Sequence, residues 1–265
     1  MSIPKPTFVF VPGAWHSSSC WSKIVPLLST HNYNYLTPNL PSTVGDTSVK
    51  FADDLEAVRS AILSETTQGR DVFVVAWSYG SLPGASAIKG LSKTTSSQRF
   101  KQGGEDGKEN GHVIGLALIA TGFCATGLDF LTSGGGKPPP FWTASKSGFA
   151  ELTLDADGIR DLFYHDLPVE EGEKWVGEVT KQSLKALTEG GELVYAGWKD
   201  VPVWFLGTKG DRGLPFSVQE ILVGMARNED ADVVMREVDS GHAPMLSKPE
   251  ETLQFLLDAA RAFVE

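Results

Sequence analysis

The chain has 265 residues, 41% of them hydrophobic, and a formal net charge of −10. That length supports one large α/β domain with a small insertion, and that apolar content excludes general disorder. The acidic balance argues against a nucleic-acid surface, and no apolar run is long enough to span a bilayer.

Residues 3–11 are interrupted by Pro4 and Pro6 and lack a basic flank before a long apolar core, so no signal peptide is expected there. Two cysteines, Cys20 and Cys124, make no disulfide framework, and a reducing, cytoplasmic setting is the simpler expectation. His16, His31, His112, His165 and His242 are scattered without ligand spacing. No phosphate loop or dinucleotide fingerprint occurs, so neither metal nor cofactor is expected.

Taken in order, residues 7–11 form a β-type apolar run that feeds Pro12, Gly13, Ala14, Trp15 and His16. A turn of this kind can expose backbone N–H groups, and His16 reads as a residue structuring it. Residues 20–30 carry apolar positions at helical spacing, with Ser18 or Ser19 as cap and Pro26 marking a kink or late start. Residues 33–40 read as a second strand ended by Pro41. Phe51, Leu55, Val58 and Ile62 then predict an amphipathic helix with Asp53, Asp54, Glu56 and Arg59 between them.

Residues 72–76 are a short apolar run rich in β-branched and aromatic side chains, hence a buried strand. Ser78 follows at once, Gly80 comes two residues later, and residues 83–93 suit a helix. Strand, sharp turn with Ser at its tip, then helix is the setting of an activated nucleophile. The first small position is Ala76 where Gly is usual, which a negative φ accommodates.

Residues 92–111 are polar and read as a surface loop, and 112–120 are another buried strand. Composition shifts at Thr121. Across 121–199 a Gly-then-Pro stretch precedes Phe141 and Trp142, and helices are expected over 157–166 and 170–188. The sheet resumes at 201–206, with Asp211 on the loop beyond it. A helix over 218–226, a strand over 233–238, His242 on a Gly-containing loop and a closing helix over 249–264 complete the chain.

Ser78, Asp211 and His242 thus stand in the order Ser, Asp, His, each after its own strand, which is the α/β-hydrolase order. The chain resembles that superfamily, in the small branch of plant methylesterases and hydroxynitrile lyases, as a fungal relative. Phe8-Val-Phe-Val-Pro-Gly-Ala-Trp-His16 with Trp21 is similar to the branch's first-strand motif, in which a His normally stands where Pro12 is. Ala76-Trp-Ser-Tyr-Gly80, Asp211-Arg-Gly-Leu-Pro215 and Gly241-His-Ala-Pro-Met-Leu246 match its later motifs.

The resemblance implies a mostly parallel central sheet flanked by helices, with a helical lid over 121–199 inserted in a core of 1–120 and 200–265. It implies hydrolysis of a carboxylic ester of a small hydrophobic or aromatic molecule, without cofactor, by a monomer or homodimer. Ser78 would be the nucleophile, His242 the base, Asp211 its partner, and the backbone N–H groups of Ala14 and Tyr79 the oxyanion donors. Trp15, Phe123, Trp142 and Met245 are expected to wall the substrate. A hydroxynitrile lyase would need a Thr and a Lys where Gly13 and Ala243 stand. A lactonase, C–C hydrolase or cyclase using the same triad, a haloperoxidase side activity, and a slow-turnover ligand receptor stay open.

Overall fold

A computed structural model describes residues 4–93 and 110–264 of the chain. Most of the expected 92–111 loop lies outside the described residues.

Eight strands are described: β1 Thr7–Val11, β2 Tyr35–Leu36, β3 Val72–Trp77, β4 Val113–Ile119, β5 Trp142–Ala144, β6 Ala150–Leu152, β7 Val203–Thr208 and β8 Val233–Val238. Six of them form one sheet in the order β2-β1-β3-β4-β7-β8, and every described pairing in it is parallel. β1, β3 and β7 are buried along their whole length, as their unbroken apolar runs require. β2 is much shorter than its sequence suggests and pairs only through Tyr35 and Leu36. Pro38 has no N–H to give the ladder, so the edge strand ends before it.

The described α-helices are α1 Ile24–Thr30, α2 Phe51–Thr66, α3 Ser81–Ala87, α4 Phe130–Ser133, α5 Ala156–Phe163, α6 Val169–Gly177, α7 Leu184–Thr188, α8 Phe216–Asn228, α9 Pro244–Ser247 and α10 Pro249–Val264. Pro26 sits in the first turn of α1, where its missing N–H costs nothing, so the helix starts late. The preceding turn is capped by Ser17, one residue before the expected pair. α2 buries Phe51, Val58 and Ile62 as its period predicts, but it also buries Asp54. α3 ends at Ala87, short of the expected residue 93.

The 121–199 segment departs from a purely helical reading. β5 and β6 form an antiparallel hairpin within it, pairing Trp142 with Leu152 and Ala144 with Ala150. The expected helix over 170–188 is two helices, α6 and α7. Between them the backbone bonds elsewhere: Thr180 N–H to Trp15 O at 2.8 Å and Ser183 N–H to Ser42 O at 2.8 Å. Those distant partners outcompete helix propensity.

The registers Val11 to Ala76, Trp77 to Ile119, Ile119 to Leu206 and Thr208 to Val238 bring the carboxyl ends of the strands to one edge. The chain runs outward from β1 to β2 and then crosses back to β3. The switch point therefore lies between the loops that follow β1 and β3, where open α/β sheets form their crevice.

Candidate active site

Ser78 stands directly after β3 with φ of 52°, a left-handed conformation that a non-glycine residue holds only when its surroundings impose it. The surroundings are identifiable. A Cβ at position 80 would lie 2.4 Å from Pro12 O, so only glycine lets the turn close against the β1 loop. Ala76 keeps a negative φ, which is why its methyl is tolerated. The Thr121 hydroxyl donates to Ser78 O at 2.8 Å and holds the turn from the other side.

The loop after β8 carries His242 to Ser78, with Nε2 3.1 Å from Oγ. The loop after β7 carries Asp211 to the far side of the ring, with His242 Nδ1 2.8 Å from Oδ2. A carboxylate can only accept, so Nδ1 carries the proton and Nε2 offers its lone pair to the Ser78 hydroxyl. Asp211 accepts further bonds from the N–H groups of Gly213 and Leu214, both at 2.8 Å. The Thr208 hydroxyl at 2.9 Å and Gln219 Nε2 at 3.2 Å complete its shell. Burial alone would raise the Asp211 carboxyl, but the neighbouring imidazole and these donors outweigh it and hold it below the usual carboxylate range.

Sequence reasoning missed the residues that hold these loops in place. Trp77 Nε1–H donates to His242 O at 2.7 Å. Asp166, from the 121–199 segment, accepts from Gly241 N–H at 2.7 Å, and His165 Nε2 lies 2.8 Å from Gly210 O. Gln219 is fully buried on α8 with Val223 and Ala226. A polar residue on that stripe was the available signal.

Ser78 and His242 open onto a cavity of about 380 Å³. Ala14 and Tyr79 border it, and the Ala14 N–H has no protein acceptor among the described residues. Trp15, Phe123 and Trp142 lie on the wall with Phe130, Phe141, Phe163 and Leu222. Met245 does not: it is fully buried on α9, where its side chain is part of the core, which corrects the sequence expectation. No carboxylate lines the cavity among the described residues, and Lys137 is among its lining residues. Cys124 is also on the wall, but burial pushes its thiol up to about 12, so it is protonated and a poor nucleophile. A larger depression of about 660 Å³ at Tyr33, Glu65 and Arg70 has no His or Cys among its lining residues.

No group of three or more potential ligands for a metal ion occurs among the described residues, and no described helix is long and apolar enough to cross a membrane.

A model of the alpha/beta hydrolase family matches residues 8–255. The alpha/beta hydrolase nvfD of Aspergillus novofumigatus (strain IBT 16806) is 26% identical over 266 residues, covering 98% of this chain and 99% of its own length. Methylesterase 1 of Arabidopsis thaliana is 23% identical over 281 residues, covering 98% of each. The crystal structure of the methylesterase MES16 from Arabidopsis shares the fold at a TM-score of 0.70 and 18% identity, over 97% of this chain and 99% of that one. The chain belongs to the alpha/beta hydrolase family and is a hydrolase.

Proposed function

We propose that the enzyme cleaves a carboxylic ester of a small hydrophobic or aromatic substrate through Ser78, His242 and Asp211. The observation that carries this reading is the hydrogen-bonded chain from Ser78 Oγ through His242 to Asp211, opening on an apolar cavity.

His242 Nε2 takes the Ser78 proton as Oγ attacks the ester carbonyl carbon. The imidazolium so formed is stabilised by Asp211 at Nδ1. The carbonyl oxygen becomes an oxyanion and accepts from the N–H groups of Ala14 and Tyr79, the loss of either donor costing roughly 3 kcal/mol of barrier. Collapse of the tetrahedral species breaks the ester C–O bond, and His242 returns the proton to the leaving alcohol. Water, activated by the same imidazole, then attacks the acyl-Ser78 carbonyl and releases the acid.

The 121–199 segment acts as the lid of this site, supplying Phe123, Phe141 and Trp142 as walls. Methylesterase relatives support an ester of a small alcohol. Two buried free thiols, Cys20 and Cys124, suit a reducing cytoplasmic setting.

Incubation with a fluorophosphonate followed by intact-mass analysis tests the nucleophile, and short p-nitrophenyl esters test turnover. One adduct and measurable turnover are expected, both abolished by Ser78→Ala. An unlabelled, inactive wild type, or a Ser78→Ala variant that keeps its turnover, would overturn the reading.

A further inference from the structure

His16 lies beside the reacting groups with both ring nitrogens engaged elsewhere. Nδ1 is 2.7 Å from the carbonyl oxygen of Ala14, which can only accept, so Nδ1 carries the proton. Nε2 is then an acceptor, and the Tyr164 hydroxyl donates to it at 2.5 Å. The ring is 4% exposed, its centroid 4.6 Å from that of Trp77 and 5.5 Å from that of Phe163. Burial holds its pKa down to about 4, so the ring is neutral at neutral pH. With no nitrogen to spare, His16 is not a second base for the substrate. What it grips is the backbone of Ala14.

That backbone needs a grip. On one flank, a Cβ at position 13 would lie 3.1 Å from the Trp77 ring and 3.2 Å from Ser78 Cβ, so the loop already presses on the nucleophile turn. On the other flank, Trp15 holds φ of 60°, a strained value for a bulky side chain. Rotation of the peptide between Ala14 and Trp15 is the route by which that strain would relax. It would swing the Ala14 carbonyl away and turn Ala14 with it. The Nδ1–H of His16, bonded to that carbonyl, opposes the rotation.

We propose that His16 and Tyr164 are positioning residues that set the oxyanion donor at Ala14, with Tyr164 passing the constraint in from the 121–199 segment. The proposal rests on the serine-hydrolase reading above. The same segment grips the loop at three further points, Trp15 Nε1–H to Ala150 O at 2.8 Å, Thr180 N–H to Trp15 O at 2.8 Å and Trp15 N–H to Gln182 Oε1 at 3.4 Å. Tyr164 adds a bond to the His16 ring itself, at the nitrogen left free by the Ala14 carbonyl. The oxyanion donor is thereby coupled to the element that covers the substrate.

The test uses Tyr164→Phe, which removes one hydroxyl and keeps the ring packing, together with His16→Phe and His16→Asn. Each is assayed with p-nitrophenyl butyrate and with phenylboronic acid, whose tetrahedral adduct on Ser78 places an oxygen at the oxyanion position. A misplaced catalytic donor costs up to about a hundredfold in rate, so kcat should fall roughly tenfold in Tyr164→Phe and by about a hundredfold in His16→Phe, with KM within about threefold. Phenylboronic acid should weaken in the same proportion. His16→Asn, whose amide can offer an N–H near the Nδ1 position, should recover part of kcat. Variants that keep wild-type kcat, or lose kcat while binding phenylboronic acid as before, would overturn the positioning role. A wild type with neither turnover nor inhibition would instead sink the hydrolase reading, so the two failures are distinct.

Discussion

The hydroxyl of Tyr79 donates at 2.8 Å to Oδ2 of Asp54, a carboxylate with no exposed surface. The same carboxylate accepts from the N–H of Ser42 at 2.9 Å and from its hydroxyl at 2.6 Å. Ser42 Oγ in turn accepts from Gln182 Nε2 at 3.0 Å, and the Gln182 carbonyl faces Trp15 N–H at 3.4 Å. One buried acid thus ties the residue after Ser78 to the loop after β1. Burial raises its carboxyl above the usual range, while its hydrogen bonds oppose that rise. Asp54→Ala would strand both Ser42 donors and leave the Tyr79 hydroxyl only Ala186 O at 3.3 Å, and is expected to cost roughly 3 kcal/mol in urea denaturation, whereas Tyr79→Phe, removing one donor, should cost about 1 kcal/mol. An unchanged unfolding midpoint in Asp54→Ala would show that the network adds nothing to stability.

Asp211→Asn is expected to lower kcat by about four orders of magnitude, because the amide favours the wrong tautomer of His242. Asp129 is the control. Its carboxylate caps α4 through Thr132, at 2.7 Å to the N–H and 2.8 Å to the hydroxyl. Asp129→Asn should therefore leave kcat within about twofold, since surface caps affect stability and not chemistry. A large loss at Asp129 and a small one at Asp211 would reassign the acid.

Trp142 and Met245 separate wall from core. Trp142 lies on the cavity with its ring 6.2 Å from that of Trp15. Replacing it by Ala should shift the ratio of kcat/KM between a small and a bulky ester by about 1–3 kcal/mol, the worth of one apolar wall contact. Met245→Ala should cost about 2–5 kcal/mol of stability as a buried truncation and leave that ratio alone. Selectivity that followed Met245 and ignored Trp142 would place the wall elsewhere.

The neutral, buried His16 makes stability fall with acid. In the unfolded chain its imidazole takes up a proton near its ordinary value of 6.5, while the folded ring resists until about 4. Between those values the unfolded state binds more protons, so stability drops as pH falls and levels off below about 4. From pH 7 to pH 5 the loss from this residue is roughly 2 kcal/mol. Glu65, held below its usual range chiefly by its hydrogen bonds with Arg70, adds a loss of the same sign at lower pH, and that part stays in every variant. Urea midpoints of wild type and His16→Phe at the two pH values should therefore converge toward acid. Parallel pH curves would show that His16 is charged in the folded state.

The sheet and the meeting of Ser78, Asp211 and His242 follow from local apolar runs. Each buried strand announces itself in five to seven consecutive residues, and parallel crossovers carry every strand's carboxyl end to one edge. Residues placed just after separate strands must then converge, whatever their distance in sequence. Other features were written in the sequence but needed the tertiary structure to be read. Asp54 stands three residues after Phe51 and four before Val58, on the buried stripe of α2, and Gln219 stands four before Val223 on α8. Helical period fixes which face they share, but only the partners Ser42, Tyr79, Thr208 and Asp211 decide that a polar group can be buried there. The hairpin of β5 and β6, the break between α6 and α7, the core placement of Met245 and the clamp of His16 on Ala14 depend on residues far away in the chain. Short or irregular segments gain too little from their own backbone hydrogen bonds to choose a shape, so the groups they meet choose it for them.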